Sequence, residues 1–192
     1  MGNMQLLEKF TKKELQDLGI SVIIMSAVVA VSMRIPMMFI FAILAIGPGF
    51  ILHELGHKFM AQKKGYHAHY KMWKNGLIFA AFLSIFGWTF IAPGAVYFGG
   101  RVRHSDRNVG LVAVVGPMIN VLLAVFFMTF MYTGNGFLVT LGWIGAYVNS
   151  FLAIFNLIPI YPLDGQKVFK WDWRIWAGAI GIAFWVFSGV KI

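Results

Sequence analysis

The chain has 192 residues, of which 59% are hydrophobic and 12% charged, with a mean hydropathy of +0.76; that balance excludes an ordinary soluble domain and marks an integral membrane protein. Its net charge of +9 does not point to nucleic acid, because the basic residues are scattered through short loops and read as topology signals facing anionic lipid. Cysteine is absent, which excludes disulfides and Cys₄-type zinc sites.

Residues 4–18 alternate Leu6, Leu7, Phe10, Leu15 and Leu18 with Lys9, Lys12, Lys13, Glu14 and Asp17, the pattern of an interfacial amphipathic helix. Residues 19–33 form a first apolar span ending at Arg34 and Pro36; Ala30-Val31-Ser32 loosely fits a signal cleavage site, but the acidic residues ahead of it favour a retained transmembrane helix. Pro36 suits the first turn of a second span, 36–62, in which Gly47-Pro48-Gly49 predicts a kink or local unwinding one turn ahead of His53. That triplet reads equally as a hinge and as packing relief by small residues. A polar stretch, 63–75, carries His67 and His69; on a strand they would face one side, yet the commoner role for such residues is surface histidine. Residues 76–92 are apolar but of marginal length, interrupted by Gly87 and closed by Pro93-Gly94. Spans at 109–132 and 136–158 are separated by three residues and so must be antiparallel neighbours, and a last span covers 175–190. The fold class is therefore an all-α polytopic membrane protein with five to six transmembrane helices and a small extended, β or re-entrant element after the second span.

The second span ends in His53-Glu54-Leu55-Gly56-His57. Positions i and i+4 share a helix face, so both imidazoles can reach one Zn²⁺ while Glu54 sits beside them to take a proton from water. With five His and three Glu in the chain, a random H-E-x-x-H match is expected about 0.002 times. Three ionisable groups in one turn of a membrane helix also need a compensating partner, and a metal supplies it.

Two histidines leave a catalytic zinc one protein ligand short. After the fourth long apolar segment the chain reads Asn156-Leu157-Ile158-Pro159-Ile160-Tyr161-Pro162-Leu163-Asp164-Gly165, and Asp164 is the sole carboxylate between Asp106 and Asp172. Alone, Asp164-Gly165 is a turn at the membrane surface. The need of the histidine pair for an anionic ligand makes Asp164 the third ligand.

HELGH in an early span, Gly116-Pro117-Met118-Ile119-Asn120 in a middle one and the Pro-rich segment ending in Asp164-Gly165 together resemble the site-2 protease family of intramembrane zinc metalloproteases, in its compact form without a PDZ or CBS domain. The resemblance covers roughly residues 19–174. It implies one Zn²⁺ per chain on His53, His57 and Asp164, with Glu54 as catalytic base. Asn156 matches the family's Asn before the prolines, implying a role in holding the substrate strand or the developing oxyanion. Asn120 matches the end of the G-P motif, where substrate binding and a plain interhelical hydrogen bond are both open. The implied partners are a transmembrane protein substrate and the lipid bilayer, in the plasma membrane of a prokaryote. A zinc transporter or an inactive membrane binding protein is the alternative; neither requires Glu54.

Ligand convergence also constrains topology. If His53, His57 and Asp164 share a metal, the ends of spans 36–62 and 136–158 lie on one side, so 76–92 should dip into the membrane and return or lie in the interface. Fourteen of the sixteen Lys and Arg then fall on that side, leaving Arg34 and Lys191 opposite, which places the active site towards the cytoplasm. The stretch after the zinc helix is expected to depart from the family's membrane-associated β-strands, although Val96, Tyr97 and Phe98 favour an extended segment on which a substrate could add as a strand.

Overall fold

The computed structural model describes residues 10–88, 93–99 and 106–190. Helix α1 (Lys12–Met33) opens with a capping box: the Glu14 N–H donates to Thr11 Oγ1 at 3.1 Å and the Thr11 N–H donates to Glu14 Oε2 at 3.0 Å. It closes at Arg34, whose φ of 56° is left-handed. The division expected at residue 18 does not exist. From Lys12 onward the polar turns and the apolar span are one helix, and Glu14 and Asp17 are buried, their carboxylates accepting from the backbone N–H groups of Tyr70 and Met72. The part of the expected amphipathic helix before residue 10 lies outside the described residues.

Helix α2 (Met38–Lys63) stays continuous through Gly47-Pro48-Gly49, without the local unwinding the triplet suggested. Side-chain amides from neighbouring helices reach its Ala45 and Gly49 carbonyls, which supports helical geometry around the proline. Strand β1 (His67–Met72) follows and pairs antiparallel with β2 (Gly94–Gly99), Tyr70 opposite Val96. The zinc helix is thus followed by a two-stranded sheet, so the expected departure from the family pattern does not occur. Between the strands, α3 (Lys74–Ile85) packs along α1, and Ser32 Oγ near the far end of α1 donates to the Trp88 carbonyl at 3.2 Å. The chain is back beside its starting point at Pro93, whose carbonyl accepts from the Trp73 N–H at 2.9 Å. The segment leaves and returns at one end of α1. Residues 89–92 are not among those described.

Helices α4 (Asp106–Phe130) and α5 (Gly136–Asn156) form the antiparallel pair expected from their short link. A turn-rich stretch with a cis Tyr161–Pro162 bond leads into α6 (Asp164–Trp171), then α7 (Trp173–Gly189), whose Trp176 Nε1–H donates to the Leu157 carbonyl at 2.7 Å. The helix contacts are made by small and medium side chains: Val121 and Ala124 of α4, Ala153 of α5 and Ala183 and Val186 of α7 form one cluster. Leu18 and Met25 of α1, Phe50 of α2, Tyr70 of β1 and Leu77 of α3 form another. Large apolar side chains such as Ile78, Leu122 and Trp185 are more than two-thirds exposed, as a lipid-facing surface requires.

Four described helices, α1, α2, α4 and α5, are long and apolar enough to cross a membrane, against five to six expected. The difference is one of length. The 17 residues of α7 rise about 26 Å and the 12 of α3 about 18 Å, against a hydrocarbon core of about 30 Å.

Candidate metal centre

His53 and His57 project from one face of α2, with their Nε2 atoms 2.9 Å apart. Asp164, the first residue of α6, brings Oδ2 to 3.0 Å from His57 Nε2 and 3.4 Å from His53 Nε2. All three side chains are buried and form a cluster able to chelate a metal ion. His57 lies beside Val112 and His53 beside Asn120, so α2 runs antiparallel to α4, as α5 does, and α2 and α5 finish at the same end of the helix bundle.

The hydrogen bonding leaves the inner nitrogens of both rings placed to hold a metal ion. A carbonyl oxygen can only accept, so His57 must donate Nδ1–H to the Val112 carbonyl at 2.8 Å. His53 Nδ1 meets Asn120 Oδ1 at 2.5 Å and is a donor on the same ground. With Nδ1 committed as the donor in both rings, Nε2 is the atom of each that faces the other ring and a carboxylate oxygen. These are the atoms a shared cation would draw together. Ligands arranged tetrahedrally about zinc at 2.0–2.1 Å stand roughly 3.3 Å apart, so the cluster needs little adjustment to hold one. Gly116 of α4 leaves the space: a Cβ there would strike His57 Nε2 and come within 2.7 Å of His53 Nε2.

Asp164 Oδ1 points away from the histidines and accepts from Lys167 Nζ, one helical turn on, at 3.1 Å. Burial opposes ionisation of this carboxyl, but the His57 and His53 imidazoles and Lys167 outweigh it and hold the group well below the ordinary carboxylate range. Glu54 stands next to the ligands on α2, and its Oε2 is buried without a hydrogen-bond partner among the described residues. The Val96 N–H of β2 faces the same carboxylate. Sheet geometry accounts for that direction. The Tyr70 N–H points off the sheet to Glu14 at 3.0 Å, so Tyr70 and Val96 are a non-hydrogen-bonded pair and the Val96 N–H points off the opposite edge, where no strand is paired among the described residues.

Of the two asparagines singled out in the sequence, Asn120 is buried against His53, whereas the Asn156 side chain donates to the Leu152 carbonyl of its own helix at 3.0 Å and is half-buried. Sequence reasoning missed Lys167, the placement of the Val96 N–H beside Glu54, and Asn149, whose Oδ1 accepts from Asn120 Nδ2 at 3.0 Å. Spacing could have revealed Lys167, at i+3 from Asp164; the other two depend on contacts distant in sequence.

No family model matches the chain, and no solved structure matches it. A curated protein of Methanocaldococcus jannaschii, named "Putative zinc metalloprotease MJ0611", is 40% identical over 172 residues, which cover 88% of this chain and 90% of the relative. Similarity at that level over nearly the full length of both, together with the buried His-His-Asp cluster on membrane-length helices, settles the assignment: the chain belongs to the site-2 protease family of intramembrane zinc metalloproteases.

Proposed function

We propose that the protein hydrolyses peptide bonds in or near the transmembrane segments of membrane-protein substrates, with Zn²⁺ held by His53, His57 and Asp164 and Glu54 as the catalytic base. The observation that carries this reading is the placement of three converging ligand atoms and a neighbouring carboxylate oxygen, unpaired among the described residues, on and beside a helix long enough to cross the bilayer. When bound, zinc supplies Lewis acidity that polarises a peptide carbonyl and makes water easier to deprotonate. Glu54 accepts the proton from the attacking water and returns it to the leaving amine. Asp164 contributes the anionic ligand, steadied by Lys167, and Asn156 is positioned at the end of α5 to bind the substrate backbone once it enters.

A helical substrate must unwind before attack, because its amides in lipid are already hydrogen-bonded. The unpaired edge of β2 next to Glu54 supports strand addition as the means of holding the unwound segment: its Val96 N–H is directed towards the catalytic carboxylate. The same-end return of residues 73–93 supports a re-entrant hairpin rather than a further crossing, with α7 completing five spans and the active site facing the cytoplasm of a prokaryotic cell. The experiment is zinc content together with product mass on a transmembrane peptide in detergent. One zinc per chain with two fragments from a single internal cleavage is expected; metal-free protein that cleaves equally well overturns the reading.

A further inference from the structure

Asn149 lies wholly buried in α5 and takes no part in the chemistry above, yet it ends a chain of side-chain amides that begins at a metal ligand. We propose that Asn149 is a positioning residue that, through the Asn120 amide, holds His53 in the tautomer whose Nε2 is open to a metal ion.

The hydrogen-bond pattern permits one orientation for each amide. Asn149 Nδ2 donates to the Gly145 carbonyl of its own helix at 2.8 Å and to the Ala45 carbonyl of α2 at 3.3 Å. Its two hydrogens are thereby committed to groups that can only accept, and Oδ1 is left facing Asn120. Only the amino group of Asn120 can meet that oxygen, at 3.0 Å, and the second Asn120 hydrogen goes to the Gly49 carbonyl at 3.1 Å. Asn120 Oδ1 must then face His53 Nδ1, which therefore carries the proton. Turning either amide over would set donor against donor or acceptor against acceptor at two buried side chains. Gly49 permits the contact, since a Cβ there would run into the Asn149 side-chain oxygen.

Without the Asn149 oxygen, the Asn120 amino group keeps one of its two acceptors, the Gly49 carbonyl, and the barrier to turning that amino group towards His53 Nδ1 is lowered. Once it turns, the proton moves to Nε2, which faces His57 and can no longer bind a cation. Orientation of ligating imidazoles by such outer partners commonly contributes about 10- to 100-fold in metal affinity.

This inference rests on His53 being a metal ligand. The test is Zn²⁺ affinity of the full chain in detergent, measured by competition with a chromophoric chelator. Asn149→Leu is expected to weaken binding by about 10- to 100-fold. Adding Asn120→Asp to Asn149→Leu is expected to restore it to within a few-fold, because a carboxylate offers His53 an acceptor whichever way it turns. Asn149→Asp, which keeps an acceptor towards Asn120 in either protonation state and preserves side-chain volume, is expected to bind zinc nearly as the unmodified chain does. Unchanged affinity in Asn149→Leu, or a loss that Asn120→Asp does not rescue, overturns the proposal. If Asn149→Leu does not fold, Asn149→Ala carries the same test: affinity weakened in Asn149→Ala and retained in Asn149→Asp supports the proposal, and equal affinity in the two overturns it. Unmodified protein that binds no zinc would instead sink the assignment of the metal site.

Discussion

A single methyl group at position 116 would land on both ligand rings, since the Cβ it brings has His57 and His53 nitrogens in its path. Gly116→Ala is therefore expected to weaken zinc binding by roughly tenfold or more, with the helices still folded, because ligand sets tolerate displacements of only about 0.5 Å. Chelator competition and the thermal transition of the metal-free protein would separate the two effects. The cluster of His53, His57 and Asp164 beside Glu54 was legible in the sequence because the spacing and scarcity of these residues are chemical facts of the chain itself. The part Asn120 plays was not. Its motif is visible, but the direction of its amide depends on Asn149, 29 residues away.

On the scale of elements, α1 is tied to the zinc helix and the sheet by one carboxylate. Glu14 Oε1 accepts from Lys58 Nζ at 2.6 Å and from the Tyr70 N–H at 3.0 Å, and Lys58, 1% exposed, also lies 3.9 Å from the centre of the Phe10 ring. Removing one partner of a buried ion pair leaves the other uncompensated, so Lys58→Met is expected to destabilise the fold by about 3–5 kcal/mol, and Glu14→Gln added to it to recover much of the loss. Denaturation in detergent reads both. The sequence pattern placed Glu14 and Asp17 at the membrane surface because amphipathicity reports polarity, not partners; Lys58 and Tyr70 are 44 and 56 residues away. The sheet was half legible, since the β-favouring residues 96–98 were visible while their pairing to His67–Met72 was not. The outward direction of the Val96 N–H gives a further test. Proline is tolerated where a strand N–H faces away from its partner, so Val96→Pro should keep zinc while raising the KM for a transmembrane peptide and, because the same N–H faces Glu54, lowering kcat as well; unchanged KM would rule out substrate addition at this edge.

Across the whole molecule, the absence of cysteine makes topology directly measurable by single substitutions. Tyr132 at the α4–α5 link is 88% exposed, and Lys74 and Lys170 are exposed near the ends of β1 and α6. With the basic loops inside, Tyr132→Cys should label from outside intact cells, and Lys74→Cys and Lys170→Cys only after permeabilisation. Hydropathy located the four long helices but counted one or two more spans among the shorter α7 and α3, and the ligand argument anticipated that α2 and α5 finish at the same end of the bundle. The merging of the first polar segment into α1 did not, because helix boundaries inside a continuous pattern are decided by packing.

The chemistry reduces to whether Glu54 moves the proton at a metal held by its neighbours. The direct measurement is Glu54→Gln in the full chain, assayed for zinc content and for cleavage of a transmembrane peptide. Loss of a positioned general base is expected to lower the rate by about 10²- to 10⁴-fold while one zinc per chain is retained; cleavage at the unmodified rate would contradict the mechanism.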